Sequence, residues 1–275
     1  MKDLTTVKQG KVSTVQDRSG KCLTEEQQIL NRWTESCSEL YNYKANGDPS
    51  VLNCRDTEHD HPILHREVEA AVQSLKKRKS AGVDRIPAEL VQTGGETVIS
   101  APTIVCNKIW RTGEWPTPRT QPLVITLPKK GNLQQCQNYH AISLVSHPSK
   151  DMPKIILNRL KPQVEKIIGE EQTGFRAGRS TTEQICNLRI LCEKYLQHQQ
   201  DLYHILIDFK KAFDRVWHAA LWATMKKYNI STSLIQVIKN FHNKDTSAVL
   251  FNCSIGDWFQ TTAHPPSSTY FWKGS

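Results

Sequence analysis

The stretch YHILIDFKKAFDRVW, residues 203–217, decides how this chain is interpreted. An apolar run that starts at Tyr203 ends on Asp208, and a polar turn then leads to an aromatic residue and a second aspartate. The run predicts a buried strand, with the carboxylate of Asp208 at its end and facing the turn. Enzymes that polymerise nucleotides hold magnesium through carboxylates in such positions. The stretch therefore predicts a magnesium ligand at Asp208.

The bulk properties of the chain narrow the class of protein. Its 275 residues are enough for a real core in one or two domains, and its formal net charge of +9 favours a polyanionic partner. The eight cysteines include no CxxC pair, so the sequence predicts free thiols in a reducing compartment rather than a zinc knuckle or a disulfide framework. The N-terminus has no apolar signal-peptide region, and no apolar run approaches membrane-spanning length. We expect an intracellular protein, nuclear or cytoplasmic, that is not secreted and has no membrane partner.

Helices and strands alternate irregularly along the sequence. Apolar residues at helical spacing predict helices around Leu30–Tyr41, from Arg66 to the basic run Lys76–Lys79, and around Leu157–Ile167. A helix carrying Ile185, Leu188, Cys192 and Tyr195 follows, and its apolar stripe predicts burial in the core.

Further helices are expected after Asp214 and after Ser231. Residues 123–127 read as a strand, and the segment from Ser247 to Phe259 as a hairpin. This mixture of elements predicts an α+β fold.

Four sequence blocks, in this order, resemble the reverse transcriptase of LINE-type (non-LTR) retrotransposons. The first is KSAGVDRIP at 79–87, and the second is LPKKG at 127–131 together with NYHAISL at 138–144. The third is QTGFRAGRST at 172–181, and the fourth is IDFKKAFD at 207–214. The similarity runs from about residue 25 to residue 262. Each block alone is a weak signal, but four blocks in the family's order are a strong one.

The resemblance implies a right-hand polymerase fold with fingers and a partial palm. It divides the chain into an N-terminal helix and linker (1–61), a fingers-like region (62–200), a partial palm (201–262) and an aberrant tail (263–275). The implied partners are an RNA template, a DNA primer or RNA–DNA hybrid, and a deoxynucleoside triphosphate. The implied cofactor is Mg²⁺, although the site is incomplete in this chain.

The resemblance also assigns catalytic and metal-binding roles to individual residues. Asp208 matches the first metal-binding aspartate of the family, and the backbone carbonyl of Phe209 is a further candidate ligand. Phe213 matches the position where an aromatic ring excludes a ribose 2′-hydroxyl, although core packing is an equally open interpretation. Asp214 matches a recurrent family acid, and a helix N-cap explains it as well.

The nucleotide and nucleic-acid contacts are implied by the other blocks. Lys129 and His140 match the positions that contact the incoming triphosphate, but the family usually has arginine where this chain has His140, and neutral histidine binds phosphate poorly. Gln172 and Arg176 belong to the block that lies near template and nucleotide. The backbone of a nucleic acid is expected to follow a basic set of residues, namely Lys76, Lys77, Arg78, Lys79 and Arg179.

Polymerase chemistry needs carboxylates that the sequence does not supply. The family has an adjacent aspartate pair on a later hairpin, whereas this chain has only Asp245 and Asp257 after Asp214, far apart in loop-like sequence. A shifted reading frame of the family's S-P-T-L-F-N block reproduces residues 263–275, so we expect a truncated, out-of-frame end. The sequence thus predicts an inactive fragment of an RNA-directed DNA polymerase. Two alternatives stay open: an active polymerase completed elsewhere, and a nonenzymatic nucleic-acid-binding remnant.

Overall fold

The computed structural model describes residues 14–42, 61–129, 131–209, 216–243 and 246–261. Its helices are α1 (Glu26–Tyr41), α2 (His65–Gln73), α3 (Ala88–Thr93), α4 (Gly95–Thr112), α5 (Asp151–Glu165), α6 (Thr181–Gln197), α7 (His218–Lys227) and α8 (Thr232–Asn243). Its strands are β1 (Val15–Gln16), β2 (Cys22–Leu23), β3 (Leu123–Pro128), β4 (Tyr139–Leu144), β5 (Thr246–Phe251), β6 (Ser254–Ile255) and β7 (Phe259–Gln260). The predicted α+β class is confirmed.

The main sheet joins two parts of the chain that are distant in sequence. Strands β3 and β4 form an antiparallel hairpin in which Leu123 pairs with Leu144 and Pro128 with Tyr139. Strand β5 lies parallel to β3 on its other side, and the short strands β6 and β7 both pair with β5. The predicted strand at 123–127 and the predicted C-terminal hairpin are therefore confirmed.

One face of this sheet packs against α1. The helix buries Ile29, Leu30 and Trp33 on the stripe that its sequence predicts, and they pack with Val124, Tyr139, Val249 and Phe251 of the sheet. The Trp33 and Tyr139 rings meet edge to face with centroids 4.7 Å apart, a favourable aromatic geometry. The opposite face of the hairpin stays half-exposed at Leu127, Ile142 and Leu144.

A second core is formed by helices. Helices α2, α4, α5 and α8 bury a continuous apolar cluster that includes Val68, Ile109, Met152, Ile155 and Leu234. The predicted helices around Leu157 and after Asp214 and Ser231 are confirmed as α5, α7 and α8. The helix predicted from Arg66 is confirmed as α2, but it ends at Gln73, so the basic run Lys76–Lys79 follows the helix instead of forming its last turn.

A buried ion pair fixes the start of α5. The Arg119 guanidinium makes two hydrogen bonds to the Asp151 carboxylate, and the backbone N–H of Met152 donates to the same carboxylate at 2.5 Å. Asp151 is almost completely buried, and this burial raises the pKa of its carboxyl, although Arg119 opposes the shift. The pair anchors the helical core to the segment that leads into β3.

Two predictions about the segment from 181 to 209 are wrong. Helix α6 forms as predicted, but it buries none of its residues, and Ile185 and Leu196 are 66% and 75% exposed. The run expected to be a buried strand has no regular structure, with Ile205 87% and Leu206 94% exposed. Apolar periodicity identifies which side chains could be buried together, but not whether another element of the fold covers them. Among the described residues, no strand or helix covers these side chains.

Candidate nucleotide and nucleic-acid interface

Asp208 lies at the end of this exposed extended segment. Its carboxylate is exposed, and the ring of the neighbouring Phe209 is 73% exposed. The predicted neighbours Phe213 and Asp214 lie outside the described residues. A strand holds a carboxylate in place through its ladder of backbone hydrogen bonds, and residues 203–209 belong to no strand of the described sheet.

The described residues do not fit a pair of magnesium ions. Among them there is no group of three or more histidine, cysteine, aspartate or glutamate side chains that could share one metal ion. A single exposed carboxylate can contact a hydrated Mg²⁺ but cannot clamp two ions a few ångströms apart. The residues that the structure describes around Asp208 therefore do not by themselves supply the donor set that such a centre requires.

The β3–β4 hairpin brings the two predicted triphosphate contacts to one face. His140 is directly opposite Leu127, so it is the diagonal neighbour of Lys129 on the same side of the hairpin. The backbone N–H of Lys129 donates to the Asn138 carbonyl at 2.8 Å, which extends the ladder beyond β3. This side of the hairpin is the half-exposed face, opposite the face covered by α1. A polyanion can reach both side chains there.

The turn at 80–87 is locked onto the segment that follows β4. A Cβ on Gly82 would lie 2.3 Å from the Ser146 backbone nitrogen, so only glycine permits this approach. The Nδ1–H of His147 donates to the Ile86 carbonyl at 2.9 Å, and burial lowers the pKa of the imidazole. The first sequence block thus packs against the residues that directly follow the second block.

The basic run at 76–79 is accessible. All four side chains are exposed, and none forms an ion pair with a carboxylate of the described residues. Arg78 has a left-handed φ of 58°, and its backbone N–H donates to the Glu89 carboxylate at 2.6 Å, which lowers the pKa of Glu89. The turn is therefore held by its backbone, while its cationic side chains remain available to a polyanion.

The loop at 172–179 uses its arginines internally. The Arg176 guanidinium donates to the Glu165 carboxylate at 2.8 Å and to the Gly169 and Gln172 carbonyls. Arg179 is paired with Glu170. The Gln172 amide donates to the Gly174 carbonyl at 3.2 Å. These contacts explain the loop conformation, but they leave fewer donors for a nucleotide than the resemblance implies.

Comparison with known proteins places this geometry in a family. The family model described as "Reverse transcriptase (RNA-dependent DNA polymerase)" matches residues 127–274, more than half of the chain. This chain belongs to the reverse transcriptase family. The match begins at the hairpin that carries Lys129 and His140 and includes Asp208.

Related proteins of this reverse transcriptase family come from transposons. The chain is 27% identical over 221 residues to "Transposon TX1 uncharacterized 149 kDa protein" of Xenopus laevis, covering 80% of this chain and 17% of that protein. It is 30% identical over 169 residues to "Probable RNA-directed DNA polymerase from transposon BS" of Drosophila melanogaster, covering 60% and 19%. It is 28% identical over 183 residues to "RNA-directed DNA polymerase from mobile element jockey" of Drosophila funebris, covering 66% and 20%. The resemblance to non-LTR retrotransposon proteins is confirmed, and the chain spans about a fifth of the length of these relatives.

Sequence reasoning missed two helices, α3 and α4, and the cations on α4. Helix α4 was not predicted, yet it carries Lys108 and Arg111, three residues apart and both exposed. This spacing places both side chains on one helical face and was readable from the sequence. The overlooked signal was the KIWR run at 108–111, in which two cations flank a buried isoleucine and a tryptophan.

Among the described residues, none of the helices has both the length and the apolar character needed to cross a membrane.

Proposed function

We propose that this chain is a nucleic-acid-binding part of a non-LTR retrotransposon reverse transcriptase, and that as a 275-residue polypeptide it does not polymerise DNA. The observation that carries the proposal is Asp208, an exposed carboxylate that belongs to no group of three or more metal-binding side chains among the described residues, in a chain of this family. The partners are an RNA template with a DNA primer or hybrid, and a deoxynucleoside triphosphate. Residues 62–200 serve as the fingers and residues 201–262 as a partial palm.

Nucleic-acid binding is supported by charge and its placement. The net charge of +9 includes the unpaired cations of the 76–79 run, which extend from a rigid turn. Cations that neutralise phosphates release counterions, and this release supplies most of the sequence-independent affinity for a nucleic acid. The run therefore provides a contact to a phosphate backbone.

The β3–β4 hairpin supports triphosphate binding, but binding of low affinity. Lys129 supplies one positive charge on the half-exposed face, and His140 stands beside it. Neutral imidazole offers one N–H donor and no charge, whereas a guanidinium offers a charged fork that matches a phosphate. The hairpin is expected to hold a nucleotide more weakly than a hairpin with arginine at position 140.

Catalysis is tested by primer extension on an RNA template. The chain and its Asp208→Asn variant are compared with Mg²⁺ and again with Mn²⁺. We expect no product above background from either protein, because no two aspartates are adjacent anywhere in this sequence and the described residues contain no metal cluster. Extension that is present in the unmodified chain and absent in the variant would overturn the proposal.

Nucleic-acid binding is tested by titrating a fluorescein-labelled oligouridylate at several salt concentrations. Changing residues 76–79 to glutamine should reduce the log–log salt slope by about 3, since each neutralised phosphate on a single strand contributes about 0.7. A matched control changes Lys21, Lys161, Lys166 and Lys194 to glutamine, which removes the same charge from other exposed positions. Equal losses in both variants would show that the 76–79 run is not a specific contact.

A further inference from the structure

A groove lies between α4 and the beginning of α8, and none of its lining residues belongs to the hairpin or to the 76–79 run. Its volume is about 1140 Å³, more than one drug-sized ligand fills. The groove is lined by Pro62, Thr103, Ile104, Asn107, Lys108, Trp110, Arg111, Thr112, Gly113, Thr232, Ser233, Gln236 and Val237.

The charge of this lining has one sign. It includes two cations and neither an aspartate nor a glutamate. Lys108 and Arg111 are exposed, and neither makes an ion pair with the described residues. With Ile104 they occupy positions i, i+4 and i+7, so all three side chains lie on the face of α4 that borders the groove. The beginning of α8 adds the positive end of a helix dipole at the opposite wall.

The walls of the groove are held rigidly. The Asn240 amide donates to the Gly113 carbonyl at 3.1 Å, and a Cβ on Gly113 would lie 2.3 Å from that amide nitrogen. The Trp115 indole N–H donates to the Val237 carbonyl at 3.0 Å. Both contacts tie the end of α4 to α8, so the groove exists before any ligand arrives and binding costs little ordering.

The groove also offers apolar surface between its cations. Ile104 is 72% exposed, although it lies on a well-packed helix, and the half-buried Trp110 borders the same space. The Arg159 guanidinium lies 4.8 Å from the centre of the Trp110 ring, an arrangement that holds the ring in place. Aromatic and apolar surface flanked by cations suits a single nucleic-acid strand, because its bases stack while its phosphates pair with cations.

We infer that this groove binds a single strand of RNA as a second nucleic-acid site, with phosphates at Lys108 and Arg111 and bases against Trp110 and Ile104. The inference rests on the proposed nucleic-acid function but concerns residues that this function does not use. A duplex fits less well, because its bases are stacked on one another and cannot reach the apolar surface of the groove.

The test compares the chain with the double variant Lys108→Gln, Arg111→Gln and with a matched control, Lys21→Gln, Lys194→Gln. All four side chains are exposed, so the circular dichroism spectra and melting temperatures should be unchanged. The groove variant should bind a fluorescein-labelled oligouridylate roughly tenfold more weakly at low salt, with a salt slope smaller by about 1.4. The control should bind almost as tightly as the unmodified chain.

Photo-crosslinking with a 4-thiouridine-labelled strand supplies a second readout. Cross-links should map to residues 103–113 and persist when residues 76–79 are changed to glutamine. If the groove variant behaves like its control while the 76–79 variant loses affinity, the groove inference is wrong and the proposed function stands. If no RNA binds to the unmodified chain even at low salt, both the inference and the proposed nucleic-acid function are wrong.

Discussion

At the scale of single residues, the cations of this chain divide into two groups. Arg176 has an 8% exposed side chain whose donors bond to one carboxylate and two backbone carbonyls. Lys108, Arg111 and the 76–79 run are exposed and make no ion pairs with the described residues. A guanidinium that holds a loop together stabilises the fold, while an unpaired surface cation adds almost nothing to stability and is free to bind a polyanion.

This division predicts unequal effects for two neighbouring arginines. Arg176→Ala should lower the free energy of unfolding by about 1–3 kcal/mol, because it leaves the Gly169 and Gln172 carbonyls without their donor. Arg179→Ala removes only an exposed ion pair with Glu170 and should cost about 1 kcal/mol or less. Urea titration of both variants measures the difference. A larger cost for Arg179→Ala would contradict the structural role assigned to Arg176.

His218 predicts how stability depends on pH. Burial lowers the pKa of His218 from 6.5 to about 4 in the folded chain, where the ring stacks on His242 with centroids 4.8 Å apart and lies tilted beside Trp222. Between these two pKa values the unfolded chain binds more protons than the folded chain, so the free energy of unfolding falls as pH drops from about 6.5 towards 4. The loss from this residue is on the order of 2 kcal/mol.

The measurement is a series of urea titrations from pH 7 to pH 4.5 on the unmodified chain and on His218→Gln. The variant should show a shallower loss of stability in this window. Buried His147 contributes a loss of the same sign in both proteins, so the comparison isolates His218. An identical pH profile in the two proteins would contradict the assignment.

At the scale of elements, apolar periodicity predicted where individual helices and strands form. It did not predict burial that depends on an element distant in sequence. Helix α1 and strand β3 were predictable from their apolar patterns and are buried. Helix α5 forms as predicted, but its fully buried apolar residues include Met152, Ile155 and Ile156, whereas the predicted stripe around Leu157–Ile167 is half-buried. Pairing of β3 with β5 was not predictable, since more than a hundred residues separate them and no local rule selects the partner. Helix α6 and the 203–209 segment have equally clear apolar patterns, yet no described element covers them.

In the candidate site, too, the sequence did not predict contacts between residues that are distant in sequence. The resemblance assigned Lys129 and His140 to one triphosphate site, but the sequence did not predict strand β4 or the hairpin that brings these two residues to one face. It did not predict the groove between α4 and α8, which depends on two helices that are far apart in sequence. It also gave no sign that Arg176 is engaged by Glu165, since that contact depends on the tertiary path of the loop.

The uncovered apolar surface predicts self-association. The α6 stripe and the 203–209 segment together expose Ile185, Leu188, Leu191, Leu196, Tyr203, Ile205, Leu206 and Ile207. An exposed, β-prone apolar segment is a site for intermolecular pairing, and a lysine within it opposes that pairing. The double variant Leu191→Lys, Leu206→Lys should therefore sediment as a smaller species and bind less of the dye ANS.

This change should leave the melting temperature almost unaltered, because surface substitutions usually alter the free energy of unfolding by no more than about 0.5 kcal/mol. Ile155→Lys is the matched contrast, since Ile155 is 1% exposed and a lysine there should prevent folding. If the double variant unfolds, or associates as strongly as the unmodified chain, the α6 and 203–209 surface is covered in solution.

At the scale of the whole molecule, stability comes from two cores that leave out one long segment. The helical core is built by α2, α4, α5 and α8, and the other core lies between α1 and the main sheet. Neither contains a described residue between Ile167 and Trp222. The described residues of the segment that carries α6 and Asp208 therefore add nothing to either core.

Hydrogen exchange should reveal this division directly. Packing supplies most helical stability in proteins, and the 17-residue helix α6 buries no residue, so little tertiary packing holds it. The capping box between Ser180 and Glu183 adds only about 1 kcal/mol. Amides of α6 and of residues 203–209 should therefore exchange through local opening, orders of magnitude faster than the amides of α5, whose Ile155 and Ile156 lie in the helical core. Mass spectrometry of peptic peptides measures both segments in one sample, with α5 as the internal reference. Protection of α6 equal to that of α5 would show that α6 packs against something in solution, and Asp208 would then stand in a more ordered setting than the exposed segment provides.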